Sequence, residues 1–167
     1  FWGAKQDINE AFKQLDFAID NGINFIDTAE MYGRGQSETI IGESIRGRRN
    51  EVFLATKVSP HHLNHSALVN AANGSLNRLQ TEYIDLYQVH FPNPFISHKK
   101  TMKAMAELLR DGLVKNVGVS NYSRRRWQQS EELLAGPVMT NQVRDHLLDR
   151  SPEQKVLPYA EQADRFV

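Results

Sequence analysis

Hydrophobic positions along the chain switch repeatedly between two periods. Runs rich in β-branched and aromatic residues, INFIDTA (Ile23–Ala29), EVFLATKV (Glu51–Val58), YIDLYQVH (Tyr83–His90), VKNVGVS (Val114–Ser120) and VMTNQV (Val138–Val143), are short and end at turn residues. Each reads as a strand. Between them, INEAFKQLDFAIDNG, SETIIGESIRG, HSALVNAANGSLNRLQ, TMKAMAELLRDG and SRRRWQQSEELLAG repeat their apolar residues every three to four positions, which predicts amphipathic helices. Ser37 and Ser123 stand at N-cap positions, and Gly22, Gly47, Gly112 and Gly136 at C-cap positions. The last seventeen residues, from Ser151, predict a further helix that Pro158 should bend or interrupt.

Strand and helix alternating through crossovers this short require parallel strands and right-handed connections, hence an α/β fold. Polar residues decide between an open doubly wound sheet and a closed barrel. Asp27, Lys57, His90 and Ser120 lie at or near the C-terminal ends of four different strands, about 30 residues apart, and Gln142 does so on the next. An open sheet would spread these ends along a line, whereas a barrel gathers them on one face. Alternation agrees: Phe25 and Asp27 share one strand face, as do Phe53, Ala55 and Lys57, and Leu86, Gln88 and His90. The expected architecture is a TIM (β/α)8 barrel, incomplete. At most six βα units can be counted in residues 1–167, with the stub FWG as the first strand, against eight in about 250 residues for a whole barrel. The chain is therefore expected to be one barrel domain cut short at both ends, with its last two units missing and unpaired strand edges exposed.

Composition narrows the function. Twenty basic and twenty acidic residues balance, so net charge draws the chain toward neither nucleic acid nor an anionic membrane. With no cysteine there is no disulfide framework, thiolate metal site or cysteine nucleophile, which suits a reducing cytoplasmic compartment. No apolar run approaches the roughly 20 residues of a membrane helix. The chain starts at Phe1, so a targeting segment or further domain can precede it.

Convergence of Asp27, Tyr32, Lys57 and His90 would make a proton donor for a carbonyl. A free phenol titrates near 10, too weakly acidic to help much at neutral pH. An ammonium at about 4 Å, in an effective dielectric of about 20, favours the phenolate by roughly 4 kcal/mol, so Lys57 is expected to lower the pKa of Tyr32. Asp27 would keep Lys57 protonated and fixed. His90 would orient the carbonyl oxygen beside the phenol or assist proton passage.

The segments DTAEMYG, LATK, DLYQVHFP, VKNVGVSNY and TNQV followed by LLDR, in this order and spacing, resemble the signature segments of the aldo-keto reductases. The resemblance covers essentially the whole chain. It implies a barrel binding NADP(H) across its mouth without a Rossmann unit, and reversible hydride transfer to an aldehyde or ketone. It also implies Tyr32 as general acid, Asp27 and Lys57 as the pair that tunes it, His90 as the substrate-orienting histidine, and Ser120, Asn121 and Gln142 as holders of the nicotinamide carboxamide. The family includes potassium-channel β subunits, so a nucleotide-binding regulatory subunit is an alternative reading, and an inactive reductase fragment is another. Asp145 stands where relatives often carry an aromatic residue.

Each residue alone also has a plainer explanation. Asp27 fits a turn, Tyr32 a half-buried aromatic, Lys57 a solvated strand end and His90 a structural histidine; joint placement favours the site. His61, His62 and His65 lack a carboxylate or cysteine neighbour that would complete a metal site, so no metal is expected. Arg124, Arg125 and Arg126 read as a solvated face. The GRG of Gly33–Gly35 lacks the third glycine of a dinucleotide fingerprint and reads as a turn beside Tyr32. Trp2 lines the mouth or packs at the first strand, and Asp85 reads as an outward residue with a turn or helix partner.

Overall fold

The computed structural model describes residues 8–167; the FWG stub and Trp2 lie outside them. The elements run α1 (Ile8–Asp20), β1 (Phe25–Asp27), α2 (Gln36–Ser44), β2 (Phe53–Val58), α3 (His65–Leu79), β3 (Ile84–Val89), α4 (His98–Arg110), β4 (Val114–Ser120), α5 (Arg124–Leu134), β5 (Thr140–Gln142) and α6 (Pro152–Ala163). All five strand segments form strands, paired in parallel in the order β1-β2-β3-β4-β5. Every strand thus neighbours the one before it, with a helix crossing over between them. This curled α/β half-barrel matches an incomplete TIM barrel. The ladder extends one rung past β5: Thr140 pairs in parallel with Phe166, whose N–H donates to Met139 O at 2.9 Å. This isolated bridge was not expected from the sequence.

Alternation sorts the strand residues into two layers. Ile26, Leu54, Val58, Tyr87, Val89, Val117 and Val119 face the helices and are buried. Helices answer with the faces their periods set: Ala11, Leu15 and Ile19 on α1, and Met102, Met105 and Leu108 on α4. Trp127 of α5 is fully buried and anchors its indole Nε1 to Val138 O at 2.9 Å. At the N-terminal end of the sheet, Arg49 joins Asp85 at 2.6 Å, and Asp85 also accepts from Leu54 N at 2.8 Å. Asp85 is therefore outward, with a turn partner.

The inner face carries Phe25, Asp27, Phe53, Leu86, Gln88, Asn116, Thr140 and Gln142, which line an open cavity of about 630 Å³ together with Met139, Phe166 and Val167. One row crosses four strands: Lys57 pairs with Gln88, Gln88 with Gly118, and Gly118 with Thr140. Gln88 reaches over β4 to donate to Thr140 Oγ1 at 3.1 Å. A Cβ on Gly118 would lie 2.2 Å from that oxygen and 2.8 Å from Gln88 Cγ, so only glycine lets the two side chains meet.

Three local expectations shift. The N-cap of α2 is Gly35, not Ser37, because Gly33, Arg34 and Gly35 form a left-handed turn (φ 58, 55 and 89) that delivers the chain into the helix earlier. Ser37 is instead buried, 2.8 Å from Thr28 Oγ1. Ala135, not Gly136, adopts the left-handed C-cap of α5 (φ 55). Pro158 lies inside α6 without interrupting it; it and Gln154, whose carbonyl loses its helical donor, are both exposed, so solvent can replace the missing bond. Ser123 caps α5 as expected, accepting from Arg126 N at 3.3 Å.

His98 Nε2 bonds Ser130 Oγ at 3.0 Å, joining α4 to α5. Burial, and secondarily Arg126, push its pKa down to about 4. The unfolded chain therefore takes up a proton near pH 6.5, before the folded one does. This contribution to stability is complete above about pH 6.5 and is lost as pH falls toward about 4. Urea titrations at several pH values should show stability declining across that window, with a flatter decline in His98→Gln; equal slopes would remove His98 as the cause. Gly118→Ala should cost about 1–3 kcal/mol by overpacking, while Gly136→Ala, with nothing within 4 Å of its added Cβ, should stay within about 0.5 kcal/mol of the parent. Equal urea midpoints for the two variants would contradict the tight Gln88–Gly118–Thr140 row.

Candidate active site

Parallel strands of matched polarity bring their C-terminal ends to one face, and there the structure gathers Asp27, Lys57, Tyr32 and His90. Lys57, penultimate in β2, is fully buried, and its Nζ donates to both carboxylate oxygens of Asp27 (2.7 and 2.6 Å) and to Thr28 O (2.8 Å). Three acceptors match the three protons of an ammonium. Burial lowers the Lys57 pKa, and the charge and hydrogen bonds of Asp27 oppose that fall. Breaking a buried pair costs about 3–5 kcal/mol; with the Asp27 side chain 30% exposed, the value here is smaller because water screens it.

Tyr32 reaches the same point from the left-handed loop after β1. Its ring centroid is 5.2 Å from Lys57 Nζ and 5.6 Å from the His90 ring, which it meets nearly edge-on at 82°. The pKa of Tyr32 is raised, first by burial and then by Asp27. This reverses the expected lowering by Lys57. The ammonium spends its hydrogen bonds on Asp27 and Thr28, and it faces the ring rather than bonding the hydroxyl. Tyr32 accordingly holds its proton at neutral pH.

His90 directly follows β3, its N–H donating to Val58 O at 3.1 Å, and its ring stacks on Phe91 at 5.0 Å. Burial and then Lys57 lower its pKa, so the imidazole is neutral near pH 7. Its Nδ1 is buried and has no hydrogen-bond partner among the described residues.

Ser120, Asn121 and Gln142 form a second group beside the first. Ser120 Oγ donates to Gln142 O at 2.9 Å and accepts from Asn121 Nδ2 at 2.9 Å; Asn121 Nδ2 also lies 3.2 Å from His90 O. Asn121 has left-handed backbone (φ 61) and takes its main-chain bond to Gln142 O at 2.9 Å. The Gln142 side chain lines the cavity. Among the described residues, neither its amide nor Asn121 Oδ1 makes a hydrogen bond.

Two carboxylates here were missed in the sequence. Glu30 accepts from Ser59 N and from His62 Nδ1 (3.0 Å), tying the Tyr32 loop to the segment after β2. Glu38 is fully buried against Arg78 and Thr56. Its signal was present: Glu38 shares a helical face with Ile41 and Ile45. The expectation that His61, His62 and His65 lack a carboxylate neighbour is corrected for two of them: His62 bonds Glu30, and His65 bonds Glu107 at 2.9 Å, each brought close by the fold from more than 30 residues away in sequence. Arg124 and Arg126 lie over the rings of Tyr159 and Tyr122 at 5.7 and 5.1 Å.

Comparison with known proteins accords with this geometry. Residues 2–165 match the Aldo/keto reductase family. The chain belongs to that family. It is 40% identical over 169 residues to aldo-keto reductase YhdN of Bacillus subtilis, covering 95% of this chain and 50% of that protein. Among solved structures it is similar to the thermostable aldo-keto reductase Tm1743 in complex with the inhibitor epalrestat, with a TM-score of 0.91 and 38% identity over 95% of this chain and 59% of that one. It is also similar to an aldo-keto reductase of Klebsiella pneumoniae in complex with NADPH, with a TM-score of 0.87 and 35% identity over 95% of this chain and 56% of the other. The chain thus spans about half the length of the curated relatives it matches. Among the described residues, no helix is long and apolar enough to cross a membrane.

Asp27→Asn removes the negative charge that raises the Lys57 pKa and leaves at most one of the two side-chain acceptors. Nitrogen-detected NMR titration should find Lys57 Nζ losing its proton at lower pH in that variant; an unmoved titration would show that Asp27 does not hold the ammonium.

Proposed function

We propose that these residues serve reversible reduction of an aldehyde or ketone with NADP(H). The observation that carries the reading is the edge-on approach of the Tyr32 and His90 rings at 5.6 Å, with the Nζ of a fully buried lysine 5.2 Å from the Tyr32 ring. A carbonyl oxygen placed between the two rings would accept a hydrogen bond from His90 and a proton from Tyr32. As the phenolate develops, Lys57 offers a positive charge 5.2 Å from the ring, and Asp27 keeps it in place. His90, being neutral, aligns the oxygen without competing with Tyr32 as the acid. NADP(H), when bound, would supply or accept the hydride. Its carboxamide has one acceptor and one NH2, which the free Gln142 amide and Asn121 Oδ1 complement, with Ser120 steadying both through its two hydrogen bonds. The NADPH complex of the Klebsiella pneumoniae relative supports the choice of nucleotide.

The test uses the longest product of the reading frame that contains these residues. Tyr32→Phe should lower turnover of a simple aromatic aldehyde by about 10² to 10⁴, the usual contribution of a general acid. NADPH affinity, measured by fluorescence titration, should stay within about twofold, since the removed hydroxyl faces the substrate. Undiminished turnover would sink the assignment of Tyr32.

A further inference from the structure

Directly behind the site, on the outward faces of β1 and β2, lies a polar network that the proposed chemistry does not use. Glu38, in the first turn of α2, is fully buried. Its Oε1 accepts from Thr56 Oγ1 at 2.6 Å and its Oε2 from Arg78 Nε at 2.7 Å, with Arg78 Nη2 in ion-pair contact at 2.7 Å. Beside it, Thr28 Oγ1 and Ser37 Oγ are 2.8 Å apart. Thr28 follows Asp27 and supplies the carbonyl that holds Lys57; Thr56 precedes Lys57.

Three glycines make way for Arg78. A Cβ on Gly35 would lie 2.7 Å from Arg78 Cδ and Nε, one on Gly74 3.1 Å from Nη1, and one on Gly42 2.6 Å from the Arg78 carbonyl oxygen. Two of these glycines, Gly42 and Gly74, lie inside helices, where glycine is unfavourable, and Gly35 is left-handed (φ 89). A buried ion pair seldom exceeds a packed apolar pair in stability. Stability is therefore a poor reason for this arrangement, and the bond it presents to Thr56 is a better one.

We infer that Thr56, held by Glu38, is a positioning residue for Lys57 and Tyr32. Adjacent strand residues point to opposite faces, so pinning Thr56 outward fixes the inward direction of Lys57. The same carboxylate belongs to the helix that begins one turn after Tyr32, where Gln36 N–H bonds back to Tyr32 O and Gly33 O. One hydrogen bond thus joins the strand carrying the ammonium to the helix that holds the phenol loop. The Glu38–Arg78 pair keeps the acceptor in place, and the brace governs the 5.2 Å between Lys57 Nζ and the Tyr32 ring.

This inference rests on the proposed reduction chemistry, and its test separates the two. In the protein used for the Tyr32 test, Thr56→Val removes the hydroxyl at nearly constant shape, and Thr56→Ser restores it. Because small misplacements of reacting groups cost rate steeply, kcat should fall about tenfold or more in the valine variant while the carbonyl KM and the NADPH Kd stay within about twofold. Serine should bring kcat back to within about threefold of the parent. The independent readout is the His90 ring-proton resonance, which the edge-on Tyr32 ring shifts; it should move in the valine variant and return with serine. If the parent reduces no carbonyl, the function reading fails and the resonance alone decides the brace. A valine protein that does not fold is replaced by Thr56→Ala, read in the same way. An unchanged kcat with an unmoved His90 resonance, or a loss of unfolding midpoint alone, would overturn the positioning role.

Discussion

A fully buried ammonium is the constraint around which this half-barrel is arranged. Lys57 carries charge into the sheet interior, where desolvation favours loss of that charge. Three oxygens at 2.6–2.8 Å prevent it, two from Asp27 and one from the Thr28 backbone. That arrangement demands that β1 and β2 be parallel and in register, since Asp27 pairs with Ala55, two residues before Lys57. Sheet order, strand ends and the loop that returns Tyr32 follow from meeting that demand.

The interior row below the ammonium shows the same economy of shape. Gln88 and Thr140 satisfy each other across a strand that contributes only a glycine between them. Polar side chains in a barrel interior are tolerable when they find partners. Here the partners are two strands apart, so the hydrogen bond also resists flattening of the sheet. Curl and polar satisfaction support each other.

Strand and helix positions were legible because two-residue and 3.6-residue periods survive in the sequence whatever the partners are. The gathering of Asp27, Lys57 and His90 was legible for a related reason: equal spacing of polar strand ends maps onto one face of a barrel. The direction of the Tyr32 pKa was not, since it turns on burial and on which acceptors the Lys57 protons choose, neither of which sequence spacing encodes. Helix caps moved by a residue or two at Ser37 and Gly136 because left-handed turns, rather than residue type, set the first and last helical bonds. The rung between Thr140 and Phe166 was invisible, since a single pairing leaves no periodic trace. Glu38 could have been found as an acid on an otherwise apolar helical face; Glu30, whose partners lie about 30 residues away in sequence, left no such mark.

The strict β1-β2-β3-β4-β5 order has a bearing on how the chain is made. Each strand pairs with the one synthesised immediately before it, so every contact between neighbouring strands closes over one helix's worth of chain. Such a sheet can grow from the ribosome unit by unit, always onto a completed edge, with little entropy lost to distant loops. By the time His90 emerges, Asp27, Tyr32 and Lys57 have all been laid down. These four side chains would then be assembled while the remaining strands are still being translated, and the growing edge, rather than their cluster, would be what nascent-chain partners need to shield.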